Sequence, residues 1–175
     1  GLTALVYMGG PVSGAHYNPA VTIAFRVQGH MRSGDLFPYL AVQFVGAALA
    51  TLTVGMLLGA TFALAPAVDA SIGAVLAVEF VFTFLLMLVI LNVAVPEEVK
   101  GNQYYGVAIG LTIAAAAFAG GGISGGAYNP AVGLGTALVH GFAGHEWIYL
   151  VGPIAGSLAA VPVFALQRGV PTRRD

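Results

Sequence analysis

Gly9 to Phe25 reads GGPVSGAHYNPAVTIAF, and Gly120 to Thr136 reads GGGISGGAYNPAVGLGT. Set side by side without a gap, at an offset of 111 residues, nine of the seventeen positions are identical. They include the whole block Tyr17-Asn18-Pro19-Ala20-Val21 and its partner Tyr128-Asn129-Pro130-Ala131-Val132. A single Asn-Pro is an ordinary turn, but a duplicated block of this length marks a tandem duplication. Asn is a preferred N-cap and Pro is favoured at the first helical position, so each copy reads as the start of a helix. If the Asn side-chain oxygen caps the free backbone N–H groups, its amide nitrogen points outward as a donor. The apolar segments that follow, Val21 to Gln28 and Val132 to His140, supply about ten helical residues each. That is roughly 15 Å, about half the thickness of a bilayer's hydrocarbon layer. Gly9, Gly10 and Gly14 precede the first, and Gly120, Gly121, Gly122, Gly125 and Gly126 the second. These approaches read as open backbone, which survives inside a membrane only where it lines a wet cavity or is buried in protein.

Outward from these blocks the chain is strongly apolar. Of its 175 residues 58% are apolar and 7% charged, against roughly 25% charged in an average soluble domain. Apolar stretches from about Leu36 to Ala60, Ser71 to Val95, Tyr104 to Ala119 and Trp147 to Leu166 come near the roughly 20 residues that cross a bilayer, and predict four full spans. Turn-forming residues separate them at Gly29 to Gly34, Pro66 to Asp69 and Pro96 to Asn102. Tyr39, Tyr104, Tyr105, Trp147 and Tyr149 sit near span ends, where the headgroup layer or plain aromatic packing suits them equally. Three spans lie between the two blocks, and an odd number of crossings turns the second copy upside down. Arg26, Arg32, Lys100, Arg168, Arg173 and Arg174 then all fall on one side, which the distribution of basic residues marks as cytoplasmic. The expected organisation is a first repeat over residues 1–60, a second over 71–167 and a cytoplasmic tail over 168–175. Subtracting the offset puts the counterpart of the span at Ser71 about 40 residues before Gly1 (71 less 111), so the stretch reads as a fragment. The apolar start at Gly1 carries no basic region or cleavage site, unlike a signal peptide.

Composition excludes several function classes. The net charge is −1 and the basic residues are scattered, which gives no stripe for nucleic acid. There is no cysteine, hence no disulfide, thiolate nucleophile or common zinc site. No His-x-x-His or acidic cluster suggests a metal, no cofactor motif is present, and no Ser–His or Asp–Asp arrangement within the spans suggests an enzyme. Two half-helices meeting N-terminus to N-terminus would put roughly half a positive charge each at mid-membrane, disfavouring cations while admitting neutral solutes.

Ser13-Gly14-Ala15-His16-Tyr17-Asn18-Pro19-Ala20-Val21-Thr22 and Asn129-Pro130-Ala131 resemble the motifs of the aquaporin (major intrinsic protein) family, with Gln43 and Pro153 in matching places of its third and sixth spans. The resemblance implies an all-α membrane protein built as an inverted repeat with two re-entrant half-helices, here lacking the first span and most of the second. It implies a passive channel for water and possibly other small neutral solutes, a homotetramer with one pore per subunit, and a place in the lipid bilayer of a plasma or inner membrane with the C-terminus cytoplasmic. The pore-centre residues would be Asn18, Pro19, Ala20, Asn129, Pro130 and Ala131. Glu79, the one charged residue deep in a span, resembles the family's buried glutamate, whose carboxylate accepts from the backbone of the second re-entrant loop. Thr83 lies one turn along the same face. A proton-coupling acid or a water-exposed one are the other readings of Glu79. Three outer-filter positions fall at Ala117, Gly126 and Val132; the last is normally an arginine, so a wider and more apolar mouth is expected. Gly133 stands where glycerol-type channels place an aspartate. His16 matches the family's loop histidine, with a structural or cytoplasmic-mouth role weighed against solvent exposure or metal binding, while His30, His140 and His145 are expected at the surface. Gly106-x-x-x-Gly110 and Gly152-x-x-x-Gly156 allow close helix contacts. The runner-up reading is an ion-coupled secondary transporter, which inverted repeats with broken helices also build; a single intramembrane acid argues against it.

Overall fold

A computed structural model describes residues 1–59 and 64–169. The described residues form seven α-helices and no strand: α1 Leu2–Ser13, α2 Pro19–Val27, α3 Ser33–Leu58, α4 Ile72–Ala94, α5 Tyr105–Ser124, α6 Pro130–His140 and α7 Glu146–Arg168. Four helical stretches are long and apolar enough to cross a membrane, Ser33–Leu58, Ile72–Ala94, Tyr105–Ser124 and Trp147–Arg168. The protein is therefore all-helical, with its short helices α2 and α6 opening at Pro19 and Pro130, directly after the two asparagines. Ala60, at the end of the first expected span, and Arg173 and Arg174 of the expected tail lie outside the described residues.

The third span differs from expectation. Its apolar run was expected to end at Ala119, with open backbone beyond, but α5 continues through Gly120, Gly121 and Gly122 to Ser124. Gly9 and Gly10 likewise lie inside α1. At Gly120 the cause is packing. A Cβ there would lie 2.6 Å from Val78 and 2.7 Å from Phe82 and from the Tyr128 hydroxyl, so the glycine admits neighbours against a helix. The chain leaves helical geometry later, at Gly14 with φ 79° and Gly125 with φ 86°, left-handed caps that a side chain disfavours.

Helix α4 starts on Ser71, whose hydroxyl oxygen accepts from Ala74 N–H. Its mean hydropathy of 2.8 fits a helix that is apolar all round and sits at the centre of a bundle. It packs against α7 and α5; α7 also touches α2 and α6, α3 lies on α6 and α2, and α1 lies on α5. Small residues set these distances. A Cβ at Gly152 would come 2.7 Å from that of Glu79, one at Gly156 would overlap the Phe80 carbonyl, and one at Gly106 would come 2.8 Å from the Tyr7 ring. Both small-xxx-small pairs thus face a neighbouring helix, α4 for the second and α1 for the first. Val21 and Ala24 of α2, Leu86 and Met87 of α4, and Ala160 and Val161 of α7 meet in one apolar cluster. That cluster holds the first half-helix against α4 and α7.

Candidate functional site: the junction of two half-helices

Each asparagine has two tasks. Asn18 Oδ1 accepts from Ala20 N–H at 2.9 Å, and Asn129 Oδ1 from Ala131 N–H at 2.9 Å, which caps both half-helices. Asn18 Nδ2 donates to the Tyr128 carbonyl and Asn129 Nδ2 to the Tyr17 carbonyl, each at 2.8 Å. The junction is reciprocal, joining two loops 111 residues apart in the repeat. From the sequence, the amide nitrogens are expected to point outward as free donors. The geometry corrects this: one N–H of each is used across the junction, and each –NH₂ group has one remaining. The N-terminal ends of α2 and α6 meet here, bringing two partial positive charges together.

Glu79 supports the second loop from α4. Its carboxylate is fully buried. It accepts from Ser124 Oγ at 2.7 Å, Ala127 N–H at 3.0 Å and Tyr128 N–H at 2.6 Å. Three donors, two of them peptide N–H groups, offset the cost of burying a charge among apolar helices. Tyr128 closes the arrangement by donating from its hydroxyl to the Ala116 carbonyl at 2.8 Å, while Tyr149 donates to the Ser124 carbonyl at 2.7 Å. Thr83 is buried a turn beyond Glu79, and its hydroxyl has no partner among the described residues.

The first loop is held differently. His16 Nδ1 lies 3.2 Å from Thr22 Oγ1, and its ring stacks on Phe25 at 4.7 Å between centroids. Thr22 also receives Gln43 Nε2–H at 2.9 Å from α3. From α7, Ser157 Oγ donates to the Ala20 carbonyl at 2.9 Å. Nothing in the sequence marked Ser157, because its partner lies in another segment. Ser124 was visible as the counterpart of Ser13 in the duplicated block. Over α6, Leu64 N–H donates to Thr136 Oγ1 at 3.4 Å, and His145 Nε2 lies 3.2 Å from the Leu64 carbonyl. His145 is therefore half-buried against this strand of loop, not at the surface as expected, because its ring also packs on Tyr149. His30 and His140 are exposed.

A cavity of about 650 Å³ opens beside the junction and reaches Asn18, Asn129, His16 and Val132. Its walls are largely aliphatic, from Val6 of α1, Val21 of α2, Leu86 and Ile90 of α4, and Ile109 and Ile113 of α5. Lys100 and Asn102 also line it. Of the three expected filter positions, Val132 alone lines this cavity; Ala117 is exposed on α5, and Gly126 lies in the loop at φ 75°. Among the described residues no three His, Cys, Asp or Glu side chains gather as a metal would require.

A model of the family described as major intrinsic protein matches residues 1–164. The chain is 41% identical over 169 residues to a probable NIP-type aquaporin of Nicotiana alata, covering 94% of this chain and 61% of that one. It is 38% identical over 175 residues to nodulin-26 of Glycine max, covering 95% and 62%. The chain thus spans about three fifths of the length of these curated relatives. Among solved structures, the aquaglyceroporin of Plasmodium falciparum superposes with a TM-score of 0.79 at 26% identity, covering 92% of this chain and 79% of that one.

Proposed function

Because the chain belongs to the major intrinsic protein family, we propose that the complete protein is a passive channel, conducting water and other small neutral solutes past Asn18 and Asn129. The observation that carries this is the reciprocal junction: two capped half-helix ends, each with an amide hydrogen left over, beside a cavity with mostly aliphatic walls. A solute oxygen passing the junction meets amide donors, while a cation meets two positive helix ends in a low-dielectric setting. No ion gradient is needed for such passage.

The remaining assignments follow from that reading. Residues 1–60 and 71–167 act as two inverted repeats, and 168–175 as a cytoplasmic tail of a subunit that assembles as a homotetramer in a plasma or inner membrane. Glu79 is a scaffold for the second loop, with Thr83 as structural support by packing one turn beyond it on the same helix. Ala117, Gly126 and Val132 form an outer filter that is wide and apolar, because valine supplies neither the bulk nor the charge of an arginine there. Such a mouth leaves room for neutral solutes larger than water. The test is stopped-flow swelling of vesicles carrying the full-length protein, with water, glycerol and urea. Faster swelling than in empty vesicles, without any ion gradient, is expected; the same rates with and without the protein for all three solutes would overturn the reading.

A further inference from the structure

Residues 64–67 cross the second re-entrant loop as a short strap tied to three helices. Leu64 N–H donates to Thr136 Oγ1 of α6 at 3.4 Å, and Ala67 N–H to the Ile123 carbonyl of α5 at 3.0 Å. The Leu64 carbonyl lies 3.2 Å from Nε2 of His145, the N-cap residue of α7. The strap sits directly on the loop: a Cβ added at Gly125 would come 2.9 Å from the Ala65 carbonyl oxygen and 3.0 Å from the Leu64 side chain. A carbonyl can only accept, so His145 Nε2 must carry a proton for the contact to be a hydrogen bond. Two contacts place the ring. It meets the Tyr149 ring edge-on at 6.1 Å and 83°, and Tyr149 is itself buried and bonded through its hydroxyl to the Ser124 carbonyl. The backbone just before it is held by the Glu146 carboxylate, which accepts from the N–H groups of Ala143 and Gly144.

We propose that His145 is a positioning residue, a latch that holds this strap over the second re-entrant loop and tightens when its ring takes up a proton. A neutral imidazole carries its single proton on either nitrogen, and only the Nε2–H form can bond Leu64. Imidazolium donates from both nitrogens, and a charged donor makes the stronger bond. The latch is therefore present at neutral pH and firmer in acid. The titratable groups around the ring are Glu146 and Tyr149 of α7, with Asp69 five residues along from Leu64 and His140 at the end of α6, both exposed. No Lys or Arg occurs between Arg32 and Lys100 or between Lys100 and Arg168. No fixed cation close by opposes the proton, while the Glu146 carboxylate, next in the chain, attracts a positive ring. The loop beneath the strap contains Gly126 and runs on to Asn129. In the channel reading, on which this consequence rests, a firmer strap reduces the play of the mouth at that loop, so acid on the strap's side lowers the flux of solutes larger than water.

Hydrogen exchange on the detergent-solubilised full-length protein provides the test. It is read between about pH 5 and 8 as protection factors, which divide out the intrinsic pH dependence of exchange. The Leu64 and Ala67 amides of wild type should gain protection as the pH falls. His145→Phe keeps an aromatic ring on Tyr149 but has no donor. It should lower that protection roughly twofold to tenfold at neutral pH, the worth of one hydrogen bond, and flatten the profile. His145→Gln brings an amide N–H near the place of Nε2 and cannot take up a proton, so it should restore protection at neutral pH while the profile stays flat. Wild-type protection in His145→Phe would overturn the proposal, as would equal behaviour of the Phe and Gln variants. A loss in His145→Phe that spreads to the capped amides of Ala20 and Ala131 would do the same, since the ring would then be a strut of the whole fold. In vesicles, urea permeability relative to water should fall when only the strap's side is acidified, and should stay level in His145→Gln; an unchanged ratio in wild type would overturn the effect on flux. Failure of wild type to conduct either solute would instead remove the channel reading and leave the exchange result standing.

Discussion

Gly9 and Gly120 occupy the same place in the two repeats, eight residues before the tyrosine that covers each. Tyr128 is 1% exposed and pinned by its hydroxyl to the Ala116 carbonyl at 2.8 Å, whereas Tyr17 is 37% exposed and held only by a longer bond, 3.3 Å, from its hydroxyl to the Leu5 carbonyl. A methyl added at Gly120 meets Val78, Phe82 and Tyr128 with no room to retreat, but at Gly9 it meets the tip of a ring that can swing outward. Gly120→Ala should therefore cost about 1–3 kcal/mol, and Gly9→Ala clearly less, in thermal unfolding of the detergent-solubilised protein. Replacing Glu79 by Ala strands one hydroxyl and two peptide N–H groups in the interior. A loss of about 3 kcal/mol is expected in the same assay, with Glu79→Gln falling between the two because it keeps one acceptor oxygen. Glu146 lies just outside the last span and titrates in the opposite sense to a simply buried acid. Burial works to raise its pKa, but the N–H groups of Ala143 and Gly144, donating at 2.5 and 2.8 Å, hold it below the usual carboxylate range. A lowered folded value means the turn is fully stabilised above the unfolded carboxylate's pKa and loses that support as pH falls through the folded value. Protection of the Ala143 and Gly144 amides against hydrogen exchange should accordingly persist through the ordinary carboxylate range and fall only below it.

At the scale of elements, α2 and α6 are short, nine and eleven residues, and depend on their caps. Asn18→Ala and Asn129→Ala each remove a cap and a cross-loop bond, and each should cost about 2 kcal/mol. The double variant should cost less than the sum, since either change already loosens the junction; strict additivity in a double-mutant cycle would argue that the two bonds are independent. Both helices were legible from Asn-Pro and the length of the apolar run, because capping is a local property. The extent of α5 was not, because Gly120 to Gly122 have no helical preference of their own and owe their conformation at least partly to what packs on Gly120. The carbonyls of Tyr17 and Tyr128 were equally hidden: a backbone oxygen carries no residue signature, and its partner stands in the other repeat. Ser157 and His145 gain their roles only from contacts across the fold.

At the scale of the whole molecule, the described residues hold a cavity of about 650 Å³ against the junction, walled by aliphatic side chains from four helices. If Val132 leaves the outer mouth wide, Val132→Arg should reduce urea and glycerol permeability far more than that of water in vesicle swelling; an equal reduction for all three would indicate a general block instead. The junction also has a mechanical consequence. Asn18 and Asn129 are hooked into each other's loops like two bent fingers, so neither half can shift sideways without unhooking both. In the channel proposed above, stretching or thinning of the surrounding lipid would then be absorbed at the ends of the conduit, leaving the bore at its waist nearly constant. A channel so built would be throttled from its entrances, with its midpoint behaving as a rivet.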